Sequence, residues 1–221
     1  MDAARAGARD GAPDGTVVVA GRQTRGRGRH GRDWFSPVGN LYASILLRPE
    51  LPPSRLSELG FIVALAAAEA VDAVLPGGRA RLKWPNDVMV DGAKVAGILV
   101  EIIEDSAAVI GIGLNVARAP ERAAYPVACL RDAGATTSPQ AVLTHLLAAL
   151  EQHVAHWAEH GFAPSRAAWL ARGPAPGDVV RVRIGTRIDT GRFAGLDADG
   201  ALLLAEDGAL RRVIVGDVVA A

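Results

Sequence analysis

The 221-residue sequence predicts an α+β fold, with a mixed or antiparallel central sheet, flanking helices and a small C-terminal SH3-like β-barrel. Three observations carry this. Apolar runs of strand length are joined by tight polar turns, most clearly where Asp91-Gly92 separates residues 88–90 from residues 94–103. Two longer apolar segments, residues 54–75 and 138–160, have the length of helices. Composition then changes at Gly173-Pro174-Ala175-Pro176-Gly177, beyond which short alternating strands follow one another between turn pairs.

Residues 1–15, rich in Ala, Gly and Asp, are weakly helical at best. Residues 16–20 read as a short buried strand, residues 21–33 as a loop and residues 41–47 as a second strand. Ser54, after two prolines, is placed as the N-cap of a largely buried helix ended by Pro76-Gly77-Gly78. Strands at 81–84 and 88–90 flank Pro85-Asn86-Asp87. Residues 94–103 and 107–116 pair antiparallel across Glu104-Asp105-Ser106. Ser138 and Pro139 supply the N-cap and first-turn proline of the second long helix, and Gly161 its C-terminal turn. A short helix ends near Arg172. The remaining strands are 178–184, 187–196, 201–205 and 209–215, with turns at Asp199-Gly200 and Asp207-Gly208. Two domains result, residues 1–172 and 173–221, the second needing the first to pack against.

Composition narrows the function. Lys+Arg and Asp+Glu are 24 each, so a basic nucleic-acid-coating protein is disfavoured. The single cysteine, Cys129, excludes an internal disulfide and a Cys-cluster zinc site, and fits a reducing compartment. The N-terminus has no signal-like apolar run, and the most apolar stretch is too short to span a bilayer and carries Glu69 and Asp72. A cytoplasmic protein without a membrane association is expected. Of the 24 basic residues only Lys83 and Lys94 are lysines. In such an arginine-rich chain, a retained lysine is a candidate for chemistry a guanidinium cannot do.

The loop at 21–33 carries Arg22, Arg25, Arg27, Arg29 and Arg32 against Asp33, interleaved with Gly26, Gly28 and Gly31. Glycines let backbone N–H groups approach an anion, and guanidinium forks bind phosphate or carboxylate bidentately. Its position between two apolar strands favours a ligand loop over a solvated RNA-binding arm. It is no Walker A loop, since no Gly-Lys-Ser/Thr follows. Lys94, beside the in-strand Gly97, is expected to be partly buried and to need an anionic partner, or else to be an edge-strand charge. Asp87 could hold a metal, orient a lysine or close an Asx-turn. Gly111 and Gly113 suit a planar ligand or close strand packing. His145, His153, His156 and His160 lack the partners of a metal site, and no metal ligand is assigned.

Taken together, Gln23-Thr24, Gly26-Arg27-Gly28-Arg29, Gly31-Arg32, Trp34, Lys83-Trp84-Pro85-Asn86-Asp87, residues 94–101 (KVAGILVE) and Gly111-Ile112-Gly113-Leu114-Asn115 resemble bacterial biotin protein ligases of the monofunctional form. The four motifs stand in the family's order, and the resemblance runs through the C-terminal barrel. It implies a class II synthetase-like ligase core. It also implies a two-step reaction: biotin and Mg·ATP give biotinyl-5′-AMP and pyrophosphate, then biotin passes to a lysine of the biotin carboxyl carrier protein of acetyl-CoA carboxylase or a related carboxylase. By this resemblance Lys94, Arg27 and Arg29 are catalytic. Gln23, Arg27, Gly28, Arg29, Lys94 and Gly97 bind biotin. Gly26, Trp34, Gly113, Asn115 and Asp87 lie on the nucleotide side. ATP and Mg2+ are the implied cofactors. Biotin and the carrier are the implied partners; DNA is not among them, and the assembly is left open, a homodimer included.

Two departures stand out. The family's Ser-Thr-Asn motif is absent, with Met1 about where its Asn would be, which predicts weaker biotin binding for the chain as written. Arg25 replaces a residue that is usually small. The alternatives are a lipoate or octanoate ligase, an RNA-binding module using the arginine loop, and a catalytically poor biotin-binding protein.

Overall fold

A computed structural model describes residues 1–103, 107–206 and 208–219. The first sheet has six strands: β1 (Val17–Ala20), β2 (Leu41–Leu47), β3 (Ala80–Lys83), β4 (Asp87–Val90), β5 (Ala93–Ile103) and β6 (Ala107–Leu114). Their spatial order is β1-β2-β6-β5-β4-β3, and every neighbouring pair is antiparallel. Two-residue alternation sorts the side chains. Ala43 and Ile45 of β2 and Ile110 and Ile112 of β6 enter the main core. There they meet α2 (Leu59–Val74), which is apolar nearly all round, and α3 (Pro139–His160).

The opposite face is divided. Leu46 and Val109 are covered by Ala4 and Ala8 of α1 (Asp2–Arg9). Further along, the same face carries Gly97, Gly111 and Gly113, which project no side chains of their own and are packed by Trp34 and Met1. Alpha1 corrects the expectation of a weakly helical N-terminus. Its stability comes from docking two alanines on the sheet, a tertiary contact invisible to local propensity.

Ser54 does not cap α2. Residues Pro53–Glu58 form a 3-10 turn, and the α-helix begins at Leu59. The other helix signals hold: Ser138 Oγ accepts from the Ala141 amide (3.2 Å), and Gly161 ends α3 at φ 78°. Alpha4 (Phe162–Arg172) follows. Asp91 (φ 49°) and Gly92 (φ 78°) make the left-handed pair of the β4–β5 hairpin. The turns at Glu104-Asp105-Ser106 and at Asp207 lie outside the described residues.

Beyond residue 177, β7 (Val179–Ile184), β8 (Arg187–Leu196), β9 (Leu202–Glu206), β10 (Ala209–Val213) and an unanticipated β11 (Asp217–Val219) form an antiparallel sheet ordered β10-β9-β8-β7-β11. Among the described residues its edges β10 and β11 do not pair with each other, so the sheet is open. Its Val182, Phe193 and Leu204 belong to the same core cluster as α2. The anchor is Phe61, edge-on to Phe162 (5.3 Å) and Trp169 (5.8 Å) and packed so closely on Gly200 that a Cβ there would lie 2.5 Å from its ring. Trp84 Nε1 donates to the Gly200 carbonyl (3.1 Å), and the Val218 amide donates to the Trp84 carbonyl (3.3 Å). Beta11 is thereby fixed against the Lys83–Asp87 motif.

Candidate active site

The motifs converge on one cavity of about 400 Å³ between the glycine face of the first sheet, the arginine loop and the second sheet. A bulge sets its chemistry. Asp87 faces Gly97 across β4 and β5, but Met89 faces Lys94, so Val95 is an extra residue. In a regular strand, positions 94 and 97 would point to opposite faces; the bulge brings Lys94 onto the face of Gly97 and Asp87. Lys94 Nζ lies 2.6 Å from one Asp87 oxygen, and Lys83 Nζ lies 2.9 Å from the other. Both ammonium groups sit over Tyr125, at 5.6 and 5.5 Å from the ring centroid, and Lys94 lies 5.2 Å from the Trp34 ring. The anionic partner expected of Lys94 is therefore Asp87, which pairs with both lysines.

The arginine loop is a small hairpin. The Gly28 amide bonds the Arg32 carbonyl (2.7 Å), the Trp34 amide bonds the Gly26 carbonyl (3.0 Å), and the tip turns through His30 (φ 56°) and Gly31 (φ 71°). Arg27 pairs with Asp2, whose carboxyl is held below the usual range by hydrogen bonds from Arg5 and Arg27. Arg29 donates to Asp217 Oδ1 (3.0 Å), to the Gly216 carbonyl (3.1 Å) and weakly to Asn86 Oδ1 (3.5 Å); Arg32 reaches the other Asp217 oxygen (2.5 Å). The second sheet thus holds the loop. Gln23 lines the cavity and accepts from Ser36 Oγ (2.8 Å).

The glycines leave room for one aromatic ring. A Cβ on Gly113 would lie 2.4 Å from Trp34 Nε1, and one on Gly97 would lie 3.0 Å from the Trp34 ring. The buried Trp34 Nε1 has no hydrogen-bond partner among the described residues. Beside this floor, Tyr42 is buried, which raises its phenol pKa, and its hydroxyl donates to the Pro37 carbonyl (2.8 Å).

Arg27, Gly28, Arg29, Trp34, Gln23, Asp87, Lys94, Gly97 and Gly113 all line this cavity. Gly26 and Asn115 do not. Gly26 is needed for loop geometry, since a Cβ would lie 2.4 Å from both Ser36 Oγ and the Trp34 carbonyl. Asn115 is buried and donates to the Ala128 carbonyl (3.1 Å), fixing the segment that bonds back to Lys94 through the Pro126 carbonyl and the Ala128 amide. Sequence reasoning missed Tyr125, Arg181, Arg183 and Asp217, which line the cavity without a local motif. Eight cationic side chains face four acidic ones there, a net +4 in a chain of zero formal charge. Arg25 lines the cavity without an ion pair among the described residues. Among those residues, no group of three or more His, Cys, Asp or Glu could hold a metal ion, and no helix is long and apolar enough to cross a membrane.

Two family models match the chain: the biotin/lipoate A/B protein ligase family over residues 9–116, and the biotin protein ligase C-terminal domain over residues 177–220. A biotin–[acetyl-CoA-carboxylase] ligase of Paracoccus denitrificans is 39% identical over 198 residues, covering 85% of this chain and 82% of the relative. The bifunctional ligase/repressor of Bacillus subtilis is 31% identical, covering 96% of this chain and 68% of its own length. Among solved structures, a biotin protein ligase of Aquifex aeolicus in complex with biotin and ATP superposes with a TM-score of 0.82 at 30% identity, covering 93% and 88% of the two chains.

Proposed function

Because the chain belongs to the biotin protein ligase family, we propose that its cavity activates biotin with Mg·ATP and passes it to a carrier protein. The enzyme is an AMP-forming biotin–protein ligase. In the first step a carboxylate oxygen of biotin attacks the α-phosphorus of ATP. The bond from that phosphorus to the β-bridging oxygen breaks, and pyrophosphate leaves with the electron pair. In the second step the amine of the carrier lysine attacks the acyl carbon of biotinyl-5′-AMP, AMP leaves and the amine loses a proton. The acceptor class is the biotin carboxyl carrier of acetyl-CoA carboxylase. Mg2+ enters as part of the Mg·ATP substrate.

The observation that carries this reading is Lys94, held by Asp87 at the edge of a glycine floor in a cavity of net positive charge. The first step joins two anions, so charge must be offset where they meet. We assign Lys94 to the α-phosphate and the new acyl-phosphate oxygens, and Arg27 and Arg29 to the carboxylate and phosphates. Gly97 and Gly113 seat the Trp34 indole that walls the ligand site, and Gln23 and Gly28 line the biotin side. Asp87 positions Lys94, while Gly26 and Asn115 act through the backbone they shape. The proposed unit boundary falls between residues 172 and 173, and the proposed setting is cytoplasmic; neither DNA nor a membrane takes part.

Mass spectrometry of a carrier domain incubated with the protein, biotin and Mg·ATP tests the reading. One biotinyl group on one lysine, dependent on ATP, is expected. An unmodified carrier, or modification with lipoate in place of biotin, would contradict it.

A further inference from the structure

One carboxylate in the cavity is outnumbered. Asp217 receives Arg29 at 3.0 Å and Arg32 at 2.5 Å, and His30 Nε2 lies 3.9 Å away. Its register partner across β11 and β7 is Arg183, so both side chains leave the same face of the second sheet. The Arg183 guanidinium lines the cavity and makes no hydrogen bond or ion pair with any described residue, its backbone alone being paired, with Ile188 and Asp217. A single −1 charge does not balance this cluster, and an anion supplied from outside is the natural complement.

The cluster connects directly to the proposed reaction centre. Arg29 spans Asp217 and Asn86, and Asn86 precedes Asp87, which holds Lys94. A polyphosphate with its α-phosphate at Lys94 would extend along Arg29 toward Arg183. Cleavage of the bond from the α-phosphorus to the bridging oxygen leaves negative charge on the departing pyrophosphate, and a free guanidinium there stabilises that charge as it develops.

We propose that Arg183 contacts the β- and γ-phosphates of ATP, so that the second sheet supplies a substrate-binding residue for pyrophosphate departure. This rests on the ligase reading above and adds to it a residue outside the motifs.

The two half-reactions separate the claim from a structural role. Pyrophosphate release by the full chain, with biotin and Mg·ATP, reports the first. Transfer from synthetic biotinyl-5′-AMP to a carrier domain, with no ATP, reports the second, in which pyrophosphate plays no part. Arg183→Ala is expected to lower kcat/KM for ATP about tenfold or more, with transfer from the preformed adenylate within about twofold of the parent. Arg183→Lys, which keeps the charge, is expected to recover part of the loss. The proposal is overturned if Arg183→Ala releases pyrophosphate at the parent rate, if both half-reactions fall together, or if Arg183→Lys is as poor as Arg183→Ala. A parent chain that releases no pyrophosphate with biotin would instead contradict the ligase reading itself.

Discussion

Lys94 Nζ sits 2.6 Å from Asp87 Oδ1 while Lys83 Nζ takes the other oxygen at 2.9 Å, so the only two lysines of the chain share one carboxylate. The arrangement holds Lys94 in place but leaves its ammonium under-neutralised. Asp87→Asn removes the shared charge and leaves two cations side by side. It is expected to lower adenylate formation by about tenfold or more, with a smaller loss for Lys83→Ala. Initial rates of pyrophosphate release check this; an Asp87→Asn enzyme with parental rates would show that Lys94 needs no such anchor.

The floor under Trp34 predicts an effect on binding. Gly113→Ala puts a methyl group 2.4 Å from Trp34 Nε1, and the indole must shift. Calorimetry is expected to show biotin binding weakened by about tenfold, or ~1.4 kcal/mol. Gly97→Ala, with its nearest contact at 3.0 Å, should cost less. Equal affinities for all three proteins would remove the floor from the ligand site.

Much of this was legible in sequence because the chemistry is concentrated in short motifs. The loop glycines, Lys94, Gly97 and Gly113 announced themselves by type and spacing, and Ser138-Pro139 and Gly161 marked the ends of α3. Other features depend on contacts between distant segments. Asp217 meets Arg29 across 188 positions, and nothing near Asp217 signals it. Asn115 has the residue type of a ligand contact, but its amide is spent on the Ala128 carbonyl. The bulge at Val95, which turns Lys94 toward the cavity, leaves no mark in an apolar strand. Helix α1, at eight residues too short to be stable alone, depends on Ala4 and Ala8 packing on β2 and β6.

Trp84 joins the sheets through the bond from its indole N–H to the buried Gly200 carbonyl. Trp84→Phe keeps most of the ring and leaves that carbonyl unpaired. A loss of about 1–3 kcal/mol is expected, measured by denaturant unfolding of the full chain. Unchanged stability would show that the bond does not tie the two sheets together.

Acid should loosen the second sheet through Asp189, which is 7% exposed. Hydrogen bonds from Arg187, then Arg211, hold its carboxyl below the ordinary value of 3.8. A carboxyl depressed in the folded state contributes stability that is fully present above the unfolded pKa and is lost as pH falls through the folded one. The Tm of the parent should therefore fall below about pH 4. Asp189→Asn should start with a lower Tm at pH 7 and decline less steeply, the gap between the curves closing toward acid. Parallel curves would contradict the assignment.

The central claim is that Lys94 stabilises charge where carboxylate and α-phosphate meet. Pyrophosphate release at saturating biotin and Mg·ATP, compared between the parent chain, Lys94→Ala and Lys94→Arg, tests it most directly. The account predicts a fall of about 100-fold or more for Lys94→Ala and failure of Lys94→Arg as well, since a planar fork replaces a compact ammonium. Near-parental turnover in Lys94→Ala would contradict it.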